Sequence, residues 1–459
     1  MAEPQFRRAR KFFAEARPEL LATVRLGAPL VLAELGWMAM GLVDTAFVGH
    51  VSAEALAGVS LGAILFYGIA GCSGGLLLGM DTLVSRAFGA GECEEYRAWL
   101  WNGIWLAAGL VPVVMACVAL LEPVLVATGI APSVLRTARP YVRALNWSTP
   151  PLFLYFALRR YLQAIHVVRP VMFALISANL VNLAGNWVLV LGNLGAPRMG
   201  AEGSGWATCI SRAYMAAVLV TALAWHDRGV HRTWRWPAWP RIAALVDLGL
   251  PAAAQMGLEI GVFSLVTVLI GKLNAIQLAG HQIALVTVST TYMMPLGISS
   301  AAAVRVGHAL GRGDRAAAAR SGWTALGLGA VAMSAAAVVL LTVPRWIARI
   351  FTVDAGVIGS AVVLLRVAAF FQLFDGLQVV ATGALRGTGD TRMPMLTHLA
   401  GYWLIGLPVG AVLCFRYGFG AAGLWAGLSI GLILIGIALA LWWWWTARTK
   451  LVVGFQRDT

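Results

Sequence analysis

Charge is what this sequence has least of. Asp, Glu, Lys and Arg together make up 12% of its 459 residues, about half the roughly 25% of an ordinary soluble domain. Residues of the Ala, Val, Ile, Leu, Met, Phe, Trp, Tyr and Cys set make up 60%, and so apolar a chain cannot cover a water-facing surface. A cytosolic enzyme, a nucleic-acid binder and a disordered tail protein are excluded on that ground. Cysteine is sparse as well. Cys72, Cys93, Cys117, Cys209 and Cys414 lie far apart with no paired spacing, which argues against a disulfide framework or a metal site. The seven histidines form no HExxH, and no GxxxxGK[ST] is present to cradle a nucleotide. Nor do the apolar runs show the ten-residue alternation of an outer-membrane barrel. The stretch from Phe6 to Arg25 is basic and interrupted by Arg17-Pro18. It reads as an amphipathic lead-in, not as a cleaved leader.

Long apolar runs are abundant. A membrane helix needs about 20 mainly apolar residues, and runs between charged breaks give twelve candidates, centred near residues 38, 68, 110, 150, 182, 214, 258, 290, 333, 371, 405 and 434. The expected fold is therefore all-α and polytopic. The net charge of +14 then reads as a topology signal. With the N-terminus inside, 24 of the 34 basic residues fall on the inner side, seven on the outer side and three within runs. Both termini are expected in the cytoplasm, and the Ala-, Gly- and Arg-rich composition suggests a bacterial inner membrane. The lipid bilayer is the implied partner, with no role for nucleic acid.

The two halves of the chain match at one offset. Adding 222 takes Gly27 to Gly249, Pro29 to Pro251, Gly49 to Gly271 and Leu56-Ala57-Gly58 to Leu278-Ala279-Gly280. Later matches drift slightly, as in Pro170 with Pro394. The implied organisation is a lead-in over 1–25, a first lobe over 26–226 with spans one to six, a cytoplasmic linker over 227–241, a second lobe over 242–446 with spans seven to twelve, and a tail over 447–459. Six spans per half give both halves the same sense in the membrane, so a pseudo-two-fold axis along the membrane normal is expected. Two such lobes suit alternating access in a single chain, without an obligatory oligomer.

Ionisable groups inside spans are costly and are functional candidates by default. Four carboxylates lie well inside apolar runs: Glu34, Asp44, Glu259 and Asp375. Gln255 and Glu259 are four apart and share a helix face. Gln372 and Gln378 flank Asp375 at three residues on either side, and Asn179, Asn182 and Asn186 form a third stripe. Such stripes line a wet cavity or join helices by hydrogen bonds. No basic residue is placed to neutralise Glu259 or Asp375. Arg366 shares a span with Asp375 but lies about 13 Å away along the axis, and it is expected to snorkel outward. A proton, Na⁺ or a cationic substrate would each relieve the cost of bare carboxylates. Tyr292, Met293 and Met294, with Pro295, suggest an adaptable wall for varied ligands. Pro295 and the pair Pro150-Pro151 are expected to bend their spans.

These residues resemble those of a multidrug and toxic compound extrusion (MATE) transporter of the NorM-type branch. The resemblance rests on Gly41-Leu-Val-Asp44-Thr-Ala-Phe-Val-Gly49, Asn182-Leu-Ala-Gly-Asn186-Trp, Glu259, Arg305-Val-Gly-His-Ala-Leu-Gly311, Phe374-Asp375-Gly-Leu-Gln378 and Gly383-Ala-Leu-Arg386-Gly. It runs nearly end to end. It implies two six-helix lobes and a non-enzymatic activity, export of organic cations in exchange for inward Na⁺ or H⁺, with no cofactor. Under it, Glu259 and Asp375 correspond to the cation-coupling carboxylates of the second lobe, and to the ligands of Na⁺ where Na⁺ is the coupling ion. Asp44 joins the coupling set and, with Asn182 and Asn186, corresponds to the polar site of the first lobe. The DinF-type branch typically lacks the second-lobe acidic pair. Glu34 departs from the pattern, whose residue there is usually uncharged. The runner-up is a flippase for a lipid-linked substrate of the same superfamily, for which a cationic cavity would be expected.

Overall fold

The computed structural model describes residues 3–127, 132–228 and 235–452. The parts of the linker at 229–234 and of the tail from 453 lie outside the described residues. In chain order the helices are α1 (Glu3–Gly49), α2 (Ala53–Gly75), α3 (Gly79–Gly89), α4 (Cys93–Ala127), α5 (Pro132–Asn146), α6 (Thr149–Ala164), α7 (Arg169–Leu189) and α8 (Ala201–His226). The second half holds α9 (Trp239–Gly271), α10 (Ala275–Gly311), α11 (Arg315–Thr342), α12 (Pro344–Phe351), α13 (Ala355–Thr388), α14 (Arg392–His398), α15 (Leu407–Ala411) and α16 (Gly420–Thr446). A 3₁₀ turn at Leu76–Leu78 carries α2 into α3. Wide π turns at Leu399–Gly406 and Val412–Arg416 flank α15.

Eleven helical stretches among the described residues are long and apolar enough to cross a bilayer. The twelfth expected span, centred near residue 150, is broken. It is built from α5 and α6, of 15 and 16 residues, each short of the length a crossing needs. The break falls at Trp147-Ser148, just before Pro150-Pro151. Proline lacks the amide that a continuing helix needs and disfavours helical geometry in the residue before it. At the first turn of a new helix it is tolerated, and there it sits in α6. Pro295, by contrast, lies within an unbroken α10. Arg136, Arg139 and Arg143 lie on the exposed face of α5. Arg159 and Arg160 are helical in α6, and Arg159 is 4% exposed.

The chain divides into two compact units. One comprises Leu32–Phe88 and Glu92–Ala253; the other comprises Met1–Val31, Gly89–Gly91 and Ala254–Thr459. The boundaries cut α1 after Val31 and α9 after Ala253, positions 222 residues apart. The repeat thus extends to where each first helix changes company. In the first unit, a Cβ on Gly249 would lie 2.0 Å from the Leu76 carbonyl oxygen, so only glycine lets the start of α9 close on the end of α2. In the second unit, Arg305 Nε and Ser321 Oγ both donate to Glu19 Oε1 at 2.8 and 2.6 Å, tying α1 to α10 and α11 at that residue.

Each unit has its own apolar core. In the second, Gly423, Gly427 and Gly431 recur every fourth residue along α16. Their missing side chains admit the backbone of Cys414, Gly410 and Gly401 to within 2.7, 2.2 and 2.3 Å of a would-be Cβ. Small residues at this spacing are how membrane helices approach closely where burial from water drives nothing.

Candidate functional site

Each unit contains a buried polar cluster. In the first, α1 carries Asp44 inward at 4% exposure. Its Oδ1 accepts from Asn182 Nδ2 at 3.0 Å and Asn186 Nδ2 at 2.7 Å, both on α7. Its Oδ2 accepts from Thr208 Oγ1 on α8 at 2.7 Å. Both carboxylate oxygens are therefore met by donors, the arrangement that an acceptor-only anion requires. Asn182, Asn186 and Thr208 are fully buried. One turn beyond Thr208, the buried guanidinium of Arg212 lies within electrostatic reach of Asp44.

Asn179, in the same sequence stripe, does something else. Its Nδ2 donates to Gly36 O at 2.9 Å and Leu175 O at 2.8 Å, tying α7 to the backbone of α1. Glu34 is not an isolated acid either. It forms a buried ion pair with Arg159 of α6, next to a second pair between Arg160 and Asp81 at 3.4 Å.

The cluster of the second unit gathers on α9, α10, α13 and the first π turn. Asp375 of α13 is 3% exposed. Its Oδ1 accepts one long hydrogen bond, from Gln378 Nε2 at 3.3 Å. Its Oδ2 has no hydrogen-bond partner. Gln378 Nε2 also donates to the Tyr402 hydroxyl at 3.4 Å. Glu259 is half-buried on α9, meets the Tyr292 hydroxyl of α10 and lies within electrostatic reach of Asp375. Gln372 turns away, donating to Thr291 Oγ1 at 2.8 Å, while Gln255 meets His398 Nε2 at 3.3 Å. Met293 and Met294 are half-buried beside Tyr292. Arg366 is exposed on α13. Among the described residues no ion pair reaches Glu259 or Asp375.

The chemistry available here is that of hard oxygen donors. Besides Asp375 Oδ2, the buried amide oxygen of Gln378 lacks a partner. Oxygen sets of this kind suit a proton or a hard cation. Among the described residues no group of three or more His, Cys, Asp or Glu side chains converges as a transition-metal site would need.

Some participants were missed in the sequence. Thr208 and Arg212 belong to a buried stripe on α8, with Ser204 and Ser211, at spacings that the asparagine stripe had already taught us to read. Tyr402 and His398 had no such signal, since each meets its partner across helices.

The MatE family model matches residues 29–188 and 251–412. The chain belongs to the MatE family. The two matched segments begin 222 residues apart, the offset already visible as the internal repeat. Among bacterial relatives, a probable multidrug resistance protein NorM of Mesorhizobium japonicum is 36% identical over 435 residues, spanning 92% of this chain and 93% of that protein. A protein of the same name in Rhodopseudomonas palustris is 37% identical over 439 residues, spanning 93% and 91%. The fold matches that of the eukaryotic MATE transporter AtDTX14, with a TM-score of 0.87 at 20% identity over 94% of this chain and 98% of that one. It also matches a MOP superfamily transporter from Pyrococcus furiosus, with a TM-score of 0.86 at 18% identity over 94% and 96%. This MatE family member is thus an all-α, multi-pass membrane protein with two helical units.

Proposed function

We propose that the protein is a secondary active antiporter that exports organic cations in exchange for inward Na⁺ or H⁺ by alternating access. It is read as a transporter, not an enzyme. The observation that carries this reading is the state of Asp375. A buried carboxylate with one oxygen unpartnered, a second acid within electrostatic reach and no basic partner is costly while charged. A cation arriving from outside offsets that cost, and its departure restores an anionic site that attracts a cationic drug. Family membership and the multidrug-resistance names of the relatives support the export of drugs. Asp44 is better provided for, so we assign the exchange of cations to Glu259 and Asp375. Half-buried Tyr292, Met293 and Met294 then form the substrate wall.

Two carboxylates also suit the energetics. Each charge crossing about 100 mV is worth roughly 2.3 kcal/mol. Exchange of one cation for one monocation cancels that term, whereas two inward charges per drug restore it. The distribution of basic residues supports both termini in the cytoplasm of a bacterial inner membrane, with one chain sufficing for transport. A flippase for lipid-linked substrates would need a cationic cavity. Of the three buried arginines among the described residues, Arg159 is engaged by Glu34, Arg212 by aromatic rings, and Arg386 lies near the end of α13; the antiporter reading is preferred.

The test is ethidium efflux from proteoliposomes under an imposed Na⁺ gradient and, separately, a pH gradient. Efflux under one of them names the coupling ion. Absence of efflux under both, in folded protein, moves the assignment to the flippase.

A further inference from the structure

Arg212 is fully buried in the first unit, and its surroundings are aromatic. The guanidinium carbon lies 4.9 Å from the ring centre of Phe66, 5.2 Å from that of Tyr67 and 5.9 Å from that of Trp37. Its Nη1 donates to Ser148 Oγ at the break between α5 and α6. Its Nε and Nη2 have no hydrogen-bond partner. Among the described residues no carboxylate forms an ion pair with it. Asp44 acts on it at longer range, from beyond Thr208. A guanidinium that leaves two nitrogens without acceptors is held chiefly by the negative faces of the rings.

The rings of the cage also pack on one another. Trp37 stacks on Tyr155 at 6.4 Å and 11° and meets Tyr67 edge-on at 6.3 Å, while Phe66 and Tyr67 cross at 5.8 Å. Walls from α1 and α2 thus receive a cation delivered by α8.

We propose that Trp37, Phe66 and Tyr67 form an aromatic-cage site for a compact organic monocation, and that the chain's own Arg212 guanidinium occupies it. The ligand class is guanidinium or a small quaternary ammonium, weakly hydrated and attracted by ring faces. Na⁺ is disfavoured, because it seeks several oxygen ligands that the cage walls do not supply. The first unit thus holds a built-in cation within electrostatic reach of Asp44.

The experiment uses the full-length protein in detergent with methylguanidinium as probe. Arg212→Ala should bind it with a dissociation constant of about 10 mM, the scale of a single small-cation cage, and its melting temperature should rise with dose. Wild-type protein should respond only through the acidic site of the second unit, Arg212→Ala should add this binding to that baseline, and adding Trp37→Ala should weaken the added binding about tenfold, the loss of one cage wall. Folded Arg212→Ala that ignores methylguanidinium, or wild type that responds equally, overturns the proposal. Should Arg212→Ala fail to fold, the wild type still decides. In a spectrum of ¹⁵N-arginine-labelled protein, the Arg212 Nε–H signal, identified by its loss in Arg212→Lys, should be shifted upfield and protected from exchange. A signal at the ordinary position overturns the cage. The measurement needs no ion gradient, so its outcome is separate from that of the efflux assay.

Discussion

Asp44 and Asp375 are both buried aspartates on long membrane helices, yet their surroundings are opposite. Asp44 has a donor on each oxygen, three in all within 3.0 Å, and a caged guanidinium nearby. Asp375 has one hydrogen bond at 3.3 Å and a bare second oxygen. The comparison shows that duplication copied the backbone and not the chemistry. The 222-residue shift takes Asp44 to Val266 and Trp37 to Glu259, so the acid of one repeat faces an apolar counterpart in the other. On the reading proposed above, the cation of the first unit is built in and that of the second is exchanged.

The largest expected effect is on transport. Asp375→Asn should reduce gradient-driven ethidium efflux to the level of empty liposomes while the protein remains folded. Asp44→Asn should lower efflux without removing its dependence on the driving ion. Equal loss of ion dependence in both variants would erase the distinction between the units.

Next in size is the buried ion pair of the first unit. Glu34→Gln should destabilise the protein by about 3–5 kcal/mol, because it strands the Arg159 guanidinium in a dry interior. The double variant Glu34→Leu with Arg159→Met should recover most of that loss, as read by denaturation in detergent.

A paired substitution sharpens the contrast directly. Thr208→Val removes a 2.7 Å donor from an aspartate and should cost about 1.5–3 kcal/mol, the range for hydrogen bonds to charged groups. Gln378→Leu removes two long contacts, 3.3 Å to Asp375 and 3.4 Å to the Tyr402 hydroxyl. It should cost less than Thr208→Val and shift the ion concentration needed for half-maximal efflux. The smallest effect is expected from Asn179→Ala, about 1 kcal/mol in stability with ion dependence unchanged, since its amide serves only the α1 and α7 backbone.

Much of this was legible in the residues. Apolar run length predicted the helices, because backbone groups in lipid have no other partner. The broken span was harder to read. Pro150-Pro151 marked the spot, but a hydrophobic run centred there masked the change of helix at Trp147. Periodicity found the stripe of Asn182 and Asn186 and the flank of Gln378 on Asp375, while the resemblance to the MATE family placed Asp44 with the two asparagines. Asn179 and Gln372 share those stripes but join helices instead, to the α1 backbone and to Thr291, because residues on one helix face can still turn to different neighbours. The partner of Glu34 left no signal, because Arg159 lies 125 residues away on another helix. Cross-helix partners such as Tyr402 leave no local signature.

The most direct test of the account is ion displacement at equilibrium. Tetraphenylphosphonium is added to detergent-solubilised protein, and release of bound ²²Na⁺ or of protons into unbuffered solution is measured. Wild type and Asp44→Asn should release the ion on binding the organic cation, and Asp375→Asn should release none. Undiminished release from Asp375→Asn, with loss of release in Asp44→Asn, would place the exchange in the first unit and contradict the account.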